Sequence, residues 1–219
     1  MIKAIIFDFD GVIVESVNIK STAFAEMYKA HGGDVVDKVL AHHLANGGMS
    51  RFEKLKFYHT EYLRLNLGRN ELAELADRFS NLVIDKVIAA PYVLGAYEFL
   101  SKYYHIYDFY ISTGTPEAEI IRILKEKQIA VFFKGVYGSP EKKSDHVRRI
   151  LRNGEYQKNE VIFVGDSLTD RDAARKNNIS FIARVEGKNG KLRTEKLTIS
   201  DIENLSELIR KSFPHGYET

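Results

Sequence analysis

Five short apolar runs, separated by stretches of helical periodicity, constrain the fold of this chain most strongly. The runs are Lys3–Phe9, His105–Ser112, Val131–Tyr137, Glu160–Gly165 and Ile179–Val185. Compact apolar runs of this kind are typical of strands that are buried on both faces. Helical patterns occupy residues 94–103, 116–127, 143–152, 169–177 and 201–211. This alternation predicts an α/β fold with a parallel sheet and helices on both of its faces.

One long segment breaks the alternation. Between the first run and Pro91, residues 17–90 show only helical patterns, with glycines at the turns. A segment of this length is better explained as an inserted helical subdomain than as a single crossover connection. We therefore predict an α/β core from residues 1–16 and 91–219, and a helical cap from residues 17–90.

Composition excludes several classes of protein and site. The 32 basic and 30 acidic side chains leave a formal charge of +2, too little to indicate binding to nucleic acid or an anionic membrane. The absence of cysteine excludes disulfides, thiolate metal sites and a cysteine nucleophile. No stretch approaches the roughly 20 apolar residues of a membrane span, and the N-terminus lacks the pattern of a signal peptide. We expect a cytoplasmic protein.

Two aspartates follow the first apolar run. Asp8 and Asp10 are two residues apart, so in extended backbone both side chains point to the same side. The carboxyl ends of parallel strands are where ligands bind, and a cation would stabilise acids buried there. The alternative is structural: Asp10 and Gly11 form a turn, and Asp8 caps a neighbouring segment.

A second acidic pair follows the fourth run. Asp166 lies at the end of that run, and Asp170 falls in the first turn of the next helix, where its charge suits the helix dipole. Two acidic clusters at neighbouring strand ends would make an all-oxygen site suited to Mg²⁺. Asp170 alone is equally well explained as an ordinary acid at a helix start.

Hydroxyl and amine groups complete the pattern. Thr113, or Ser112 one residue earlier, ends the second run, and its hydroxyl could hydrogen-bond a phosphate oxygen. The backbone N–H groups of the turn at Gly114 could bind the same phosphate. Lys143, or Lys142 beside it, begins a helix where a positive charge is unfavourable unless an anion lies near. Two helix starts are also predicted: Thr115 as a capping hydroxyl before Pro116, and Thr169 with Asp172 as a capping box.

Together these motifs resemble the haloacid dehalogenase-like hydrolases. The matching segments are DFDGV, ISTGTP, the lysine at a helix start and GDSLTD, in the order that the family shows. The resemblance implies a Rossmann-like core, and the insert resembles the helical cap of the subgroup of phosphoglycolate phosphatases and β-phosphoglucomutases.

The resemblance also implies a role for each residue. Asp8 would be the nucleophile that forms an aspartyl-phosphate, and Asp10 the general acid and base. Mg²⁺ would be held by the side chains of Asp8 and Asp166 and the carbonyl of Asp10, with Asp170 a direct or water-mediated ligand. Thr113 and Lys143 would hold the phosphoryl group. The implied activity is hydrolysis of a small phosphorylated metabolite, of the phosphoglycolate or sugar phosphate type.

Several assignments stay open at this stage. Lys20 stands where β-phosphoglucomutase-like members usually have a histidine, which disfavours a mutase without excluding it. Arg51, in a loop similar to the cap loop of that subgroup, is a candidate for substrate recognition or a solvated surface residue. The histidines 42, 43 and 59 are interpreted as surface or interhelical groups. A non-catalytic binding module is a further alternative, and phosphonate cleavage through Lys20, Lys54 or Lys56 is a weaker one.

Overall fold

A six-stranded parallel sheet forms the centre of the protein. The structure, a computed structural model, describes residues 1–186 and 192–214. The strands are β1 Ala4–Phe7, β2 Asp108–Pro116, β3 Phe133–Ser139, β4 Val161–Gly165, β5 Ser180–Arg184 and β6 Thr198–Ile199. Each of the five predicted runs overlaps a strand, although β2 and β3 extend beyond the predicted runs, and this confirms the α/β fold. The two-residue β6 was not predicted, because it is too short to show a pattern.

The order of the strands brings two of the acidic motifs together. The sheet has the order β3-β2-β1-β4-β5-β6, so β1 lies between β2 and β4. Phe7, at the end of β1, is paired with Ile111 on β2 and with Val164 on β4. The chain after each of these strands therefore leaves the same edge of the sheet, on either side of β1. From β1, the sheet continues through β2 and β3 on one side and through β4, β5 and β6 on the other. In parallel sheets, the place where the strand order reverses in this way is a common position for a ligand site.

Both faces of the sheet are covered by helices. These helices are α5 Ala96–Tyr103, α6 Glu117–Glu126, α7 Lys143–Asn153, α8 Leu168–Asn177 and α9 Leu205–Ser212. Alternate residues of β1 enter two separate clusters, with Ile5 and Phe7 on one face and Ala4 and Ile6 on the other. Burial on both faces explains why the strand sequences are continuously apolar.

The segment after β1 is helical, as predicted. It contains α1 Val17–Tyr28, α2 Gly33–Ala45, α3 Arg51–Phe57 and α4 Arg69–Ala89, and a π-helical turn continues α3 at Tyr58–Leu63. The division of the chain into a core and a cap at residues 16 and 91 stays a prediction. No helix among the described residues combines the length and apolarity that crossing a membrane requires.

The two connections to the helical segment run side by side. Val14 pairs with Tyr92 as an antiparallel bridge, and the Glu15 amide donates to the Pro91 carbonyl at 3.0 Å. The Val93 amide donates to the Ile13 carbonyl, also at 3.0 Å. The chain therefore enters and leaves the helical segment at one place.

Both predicted helix starts are wrong. Strand β2 continues through Pro116, and the Thr115 hydroxyl donates to Asp10 Oδ2 at 3.1 Å instead of capping α6. Helix α8 begins at Leu168, so Ser167 is its N-cap and Asp170, the third residue of the helix, completes the capping box. Ser167 and Asp170 have the same spacing as Thr169 and Asp172, and the earlier pair is the one used.

Replacement of Phe7 by alanine should strongly destabilise the protein. Phe7 is fully buried, and its ring contacts those of Phe99 and Phe109 edge-on, with centroids 6.2 and 5.4 Å away. We expect Phe7→Ala to lower the free energy of unfolding by about 3–5 kcal/mol in urea titrations, because it leaves a cavity in the core. The control Ile106→Ala, at a side chain 58% exposed, should change it by less than about 0.5 kcal/mol. Equal effects would contradict this description of the core.

Candidate active site

Three carboxylates meet at the ends of the neighbouring strands β1 and β4. Asp8 follows β1, Asp166 follows β4, and Asp170 lies in the first turn of α8. Each offers a carboxylate oxygen that lies within 4.8 Å of the others. Asp8 and Asp170 are buried, and Asp166 is partly buried. The structure therefore brings together the two acidic motifs that the sequence separates by more than a hundred residues.

Lys143 lies between two of these carboxylates. Its Nζ atom is 2.7 Å from Asp8 Oδ2 and 2.6 Å from Asp170 Oδ1, and its side chain is only 5% exposed. Lys142 is the N-cap of α7 and forms no ion pair with the cluster among the described contacts. Of the two lysines that the sequence left open, the geometry places Lys143 at the acidic cluster.

Burial and mutual repulsion raise the proton affinity of the cluster. Burial, together with the charges of Asp170 and Asp10, raises the pKa of Asp8 to about 7 against the opposing effect of Lys143. Burial and the charge of Asp8 raise the pKa of Asp166 well above its usual range. Burial alone would lower the pKa of Lys143, but Asp170 and Asp8 raise it overall. The cluster thus carries more negative charge than Lys143 offsets.

The oxygens of Asp170 are already occupied by donors. Oδ2 accepts from the Ser167 amide at 3.0 Å and the Ser167 hydroxyl at 2.5 Å, while Oδ1 accepts from Lys143. Asp166 accepts no hydrogen bond from any residue in the described part of the chain. Asp166 therefore has the most accessible oxygens of the cluster for an additional cation.

Three donors hold the carboxylate of Asp10. Ser16 donates to Oδ1 at 2.6 Å, and Lys20 and Thr115 donate to Oδ2. Burial alone would raise the pKa of Asp10, but Lys20 and the hydroxyl groups lower it overall. Ser16 and Thr115 were not predicted at the site. No local pattern marks Ser16, and Thr115 had been interpreted as a helix cap.

Thr113 and Ser112 point to different places. Thr113 lines the cavity beside Asp8 and is 1% exposed. The Ser112 hydroxyl lies 2.9 Å from His146 Nδ1, within a buried pair away from the acidic cluster. The geometry therefore places Thr113, rather than Ser112, at the cavity.

The helical segment closes over the acidic cluster. The Thr169 hydroxyl donates to the Gly47 carbonyl at 2.8 Å, and a Cβ atom on Gly114 would lie 2.6 Å from the Gly48 carbonyl oxygen. Gly48 itself has φ +72°, and a Cβ there would lie 2.1 Å from Thr169 Oγ1. Glycines at 48 and 114 thus allow this close approach of the two parts of the chain.

The cavity beside the acidic cluster has a volume of about 440 Å³. Residues from both parts of the chain line it, among them Asp8, Asp10, Lys20, His43, Arg51, Lys54, Thr113, Gly114 and Asp166. A volume of this size matches a small-molecule site rather than a macromolecular surface.

Arg51 is buried rather than solvated. Its guanidinium donates to both oxygens of Glu119, at 2.8 and 2.6 Å, and also to Ser80. The side chain is 4% exposed and lines the cavity. This ion pair joins α3 of the helical segment to α6 beside the sheet. A role in substrate recognition stays a prediction, since the charge of Arg51 is already balanced.

The histidines at positions 42, 43 and 59 make contacts within the helical segment. His42 contacts Tyr58 at 3.3 Å and His59 contacts Tyr28 at 3.0 Å, as the interhelical interpretation expects. His43 also lines the cavity, with Nδ1 2.9 Å from Lys54 Nζ. Burial, aided by Lys54 and Lys20, lowers the pKa of His43 to about 3, so its ring is neutral.

Lys54 is a cavity residue to which the sequence analysis gave little weight. It lies three residues after Arg51 and therefore on the same face of α3, which is the available sequence signal. Its side chain is buried and lines the cavity. Burial, and then the charge of Lys20, lowers the pKa of Lys54 to about 7.

Comparison with known proteins agrees with the motifs and the fold. Residues 5–184 match the family described as haloacid dehalogenase-like hydrolase. No protein with a curated description gives a significant match to the sequence.

Solved structures share the fold at low sequence identity. β-Phosphoglucomutase from Clostridium difficile is 19% identical, with a TM-score of 0.79 over 98% of each chain. CbbY from Rhodobacter sphaeroides in complex with phosphate is 16% identical, with a TM-score of 0.71 over 94% of this chain and 96% of that one. YfnB from Bacillus subtilis bound to magnesium is 15% identical, with a TM-score of 0.70 over 95% of this chain and 99% of that one.

The buried amine of Lys54 should make stability depend on pH. Because its pKa is about 7 in the folded protein and about 10.4 in an unfolded chain, the unfolded state binds more protons between these values. Lys54 therefore opposes folding near pH 7, and this effect fades as the pH rises. We expect Lys54→Met to be more stable than the parent near pH 7, by a margin that shrinks toward pH 10 in urea titrations. The exposed Lys56→Met should show no such trend, and a constant margin for Lys54→Met would contradict the shift.

Proposed function

We propose that this chain, which belongs to the haloacid dehalogenase-like hydrolase family, is a Mg²⁺-dependent phosphatase of small phosphate monoesters. The reaction would pass through a phosphorylated Asp8. The observation that carries this proposal is the contact of buried Asp8 with Lys143, together with the cavity of small-molecule size that Asp8 and Asp166 line. A nucleophilic carboxylate, an ammonium group beside it and an acidic cluster are the parts that phosphoryl transfer to a carboxylate needs.

The residues present fit a magnesium ion. The cluster of Asp8, Asp166 and Asp170 offers only oxygen ligands, which suit a hard cation. Its surplus negative charge, seen in the raised pKa values of Asp8 and Asp166, is what a bound cation would offset. Asp8, Asp166 and the Asp10 carbonyl would hold Mg²⁺, and Asp170 would position Lys143 and Ser167 or reach the ion through water. Bound Mg²⁺ would offset the repulsion between the Asp8 carboxylate and a phosphate dianion.

Phosphoryl transfer to Asp8 is the first step of the proposed reaction. A carboxylate oxygen of Asp8 attacks phosphorus, and the bond from phosphorus to the alcohol oxygen breaks. Lys143 and the Thr113 hydroxyl hold the phosphoryl oxygens, with the Gly114 amide as a further donor. The leaving oxygen takes a proton from Asp10; the pKa of this carboxyl is low in the structure, and the charge of an approaching phosphate dianion would raise it.

Hydrolysis of the aspartyl-phosphate is the second step. Water attacks phosphorus and gives its proton to Asp10, which releases inorganic phosphate and restores the Asp8 carboxylate. Lys20, Ser16 and Thr115 keep Asp10 charged in the structure, a state that suits this base role. Closure of the helical segment over the cavity would exclude bulk water during the first step. The paired connections near residues 14–17 and 89–93 are the proposed hinges.

The alternatives differ in what they require of the same residues. A sugar-phosphate mutase would return the phosphoryl group from Asp8 to the sugar rather than to water. A binding module without catalysis would not need the buried Asp8 and Lys143 pair. Phosphonate cleavage through an imine would rest on Lys54, since Lys56 is exposed and Lys20 is paired with Asp10. Reduction by borohydride with an aldehyde substrate would detect such an imine.

Replacement of Asp8 should abolish phosphate release. We expect the parent protein with Mg²⁺ to release inorganic phosphate from a panel of phosphate esters, and EDTA to abolish that release. Asp8→Asn should lower kcat by at least about 1,000-fold because it removes the nucleophile. The control Asp172→Asn, on the exposed face of α8, should retain activity. Activity in Asp8→Asn equal to that of the control would exclude Asp8 as the nucleophile.

Replacement of Asp10 should trap the phosphorylated protein. Without a base, water attacks the aspartyl-phosphate slowly, so Asp10→Asn mixed with a reactive phosphate ester should accumulate an acyl phosphate. Intact mass and sensitivity to hydroxylamine would detect it, and the double variant Asp8→Asn, Asp10→Asn is the control. Isomerisation of glucose 1-phosphate by the parent protein, with little free phosphate, would instead establish the mutase.

A further inference from the structure

Among the described residues, one cation of the cavity lacks a counter-ion. Among the described residues that line the cavity, three basic side chains are ion-paired, namely Lys20 with Asp10, Arg51 with Glu119 and Arg184 with Glu15. Lys54 forms no ion pair with any carboxylate in the described part of the chain, although it is 97% buried, with a relative exposure of 3%. An ammonium group buried without an anion is costly, so its presence in a ligand cavity calls for an explanation.

The surroundings of Lys54 offer little compensation. Its Nζ atom is 2.9 Å from Nδ1 of the neutral His43 ring, 3.4 Å from the His43 carbonyl and 5.9 Å from the centroid of Phe24. His43, itself 94% buried at a relative exposure of 6%, leaves Nε2 without a hydrogen-bond partner in the described structure. A polar corner of the cavity, formed by Lys54 and His43, is therefore incompletely satisfied by the protein alone.

Lys54 acts in the same electrostatic environment as the acidic cluster. The charges of Asp10, Asp166, Lys20 and Lys143 all affect its protonation. Asp8 and Lys54 line the same cavity, whose volume suits a single small molecule. Arg51 lines the same cavity, but Glu119 already accepts from both of its terminal nitrogens.

We propose that Lys54 binds a second acidic group, a carboxylate or phosphate, on the alcohol half of the phosphate ester, with His43 holding the amine in place. The preferred substrates are then phosphorylated acids or bisphosphates rather than neutral phosphorylated alcohols. This inference rests on the proposed phosphatase function and adds the class of substrate. An anion here supplies the missing counter-charge of Lys54, whereas a neutral substrate leaves the buried ammonium unpaired. A site with an unpaired buried charge discriminates strongly against a ligand that lacks the matching group.

Matched substrates test the proposal directly. 3-Phosphoglycerate differs from glycerol 3-phosphate by a carboxylate in place of a hydroxymethyl group, and glucose 1,6-bisphosphate differs from glucose 1-phosphate by a second phosphate. We expect kcat/KM of the parent protein to favour the acidic member of at least one pair by about tenfold or more. The pair that shows the preference identifies the second group as carboxylate or phosphate. A lack of preference in both pairs would overturn the proposal.

Variants of Lys54 assign the preference to this residue. Lys54→Met should reduce the ratio of kcat/KM within that pair to near one, mainly through KM, and Lys54→Arg should restore part of it. The control Lys56→Met, on the exposed face of the same helix, should keep the full ratio. Melting temperatures establish that the variants are folded. An unchanged ratio in folded Lys54→Met would overturn the proposal.

A binding measurement separates this proposal from the phosphatase function. Calorimetry on Asp8→Asn, with the same four esters, reports affinity without turnover. Tighter binding of the acidic member, lost when Lys54→Met is added, supports the Lys54 subsite even if no ester is hydrolysed by the parent. Equal affinities for both members of each pair would overturn it, whatever the fate of the hydrolysis assay.

Discussion

The ion pairs of Lys143 with Asp8 and Asp170 are the interaction on which the site depends. Parallel pairing of β1 with β4 brings Asp8 close to Asp166 and Asp170, and without a cation these carboxylates would repel one another in a buried environment. Lys143 enters this cluster from the start of α7. A positive charge at that position opposes the helix dipole, and the two carboxylates more than compensate for it. Removing one member of such a buried set leaves the others uncompensated, a change typically worth several kcal/mol.

The parts of the fold and site that sequence could predict are those with local signals. Continuous apolar runs marked the buried strands, and the aspartates directly after them marked the edge where Asp8 and Asp166 meet. A lysine at a helix start is unfavourable on its own, which marked Lys142 and Lys143 as candidates, and the contacts of Lys143 decide between them. The donors that hold Asp10 come from two separate segments, Ser16 and Lys20 at the start of α1 and Thr115 near the end of β2, and their meeting depends on tertiary structure. Thr115 was misread for this reason, since its hydroxyl serves a distant carboxylate rather than the adjacent helix.

The contacts between the helical segment and the sheet were also beyond the reach of sequence patterns. Arg51 is recognisable as a candidate, but its partner Glu119 lies on another helix, 68 residues along the chain. The buried ion pair of Arg51 and Glu119 fixes the position of α3 relative to α6, because a guanidinium and a carboxylate match in only a few geometries. Opening of the cavity would expose both charges to water, where they are well solvated, so the pair need not create a large barrier to opening. The ease of solvating these two side chains suits a part of the protein that has to admit and release a ligand.

The adjacent entry and exit of the helical segment, joined by the Val14 and Tyr92 bridge, have a consequence for the history of such proteins. Because the two connections leave the core at one place, the core would need only a short turn to close without the helices. Insertion, replacement or enlargement of the segment would then leave the sheet and its acidic edge intact. Evolution could therefore vary the half of the cavity that carries Lys54 and Arg51 while retaining the half that carries Asp8. Substrate specificity would then change while the reaction at Asp8 stays the same.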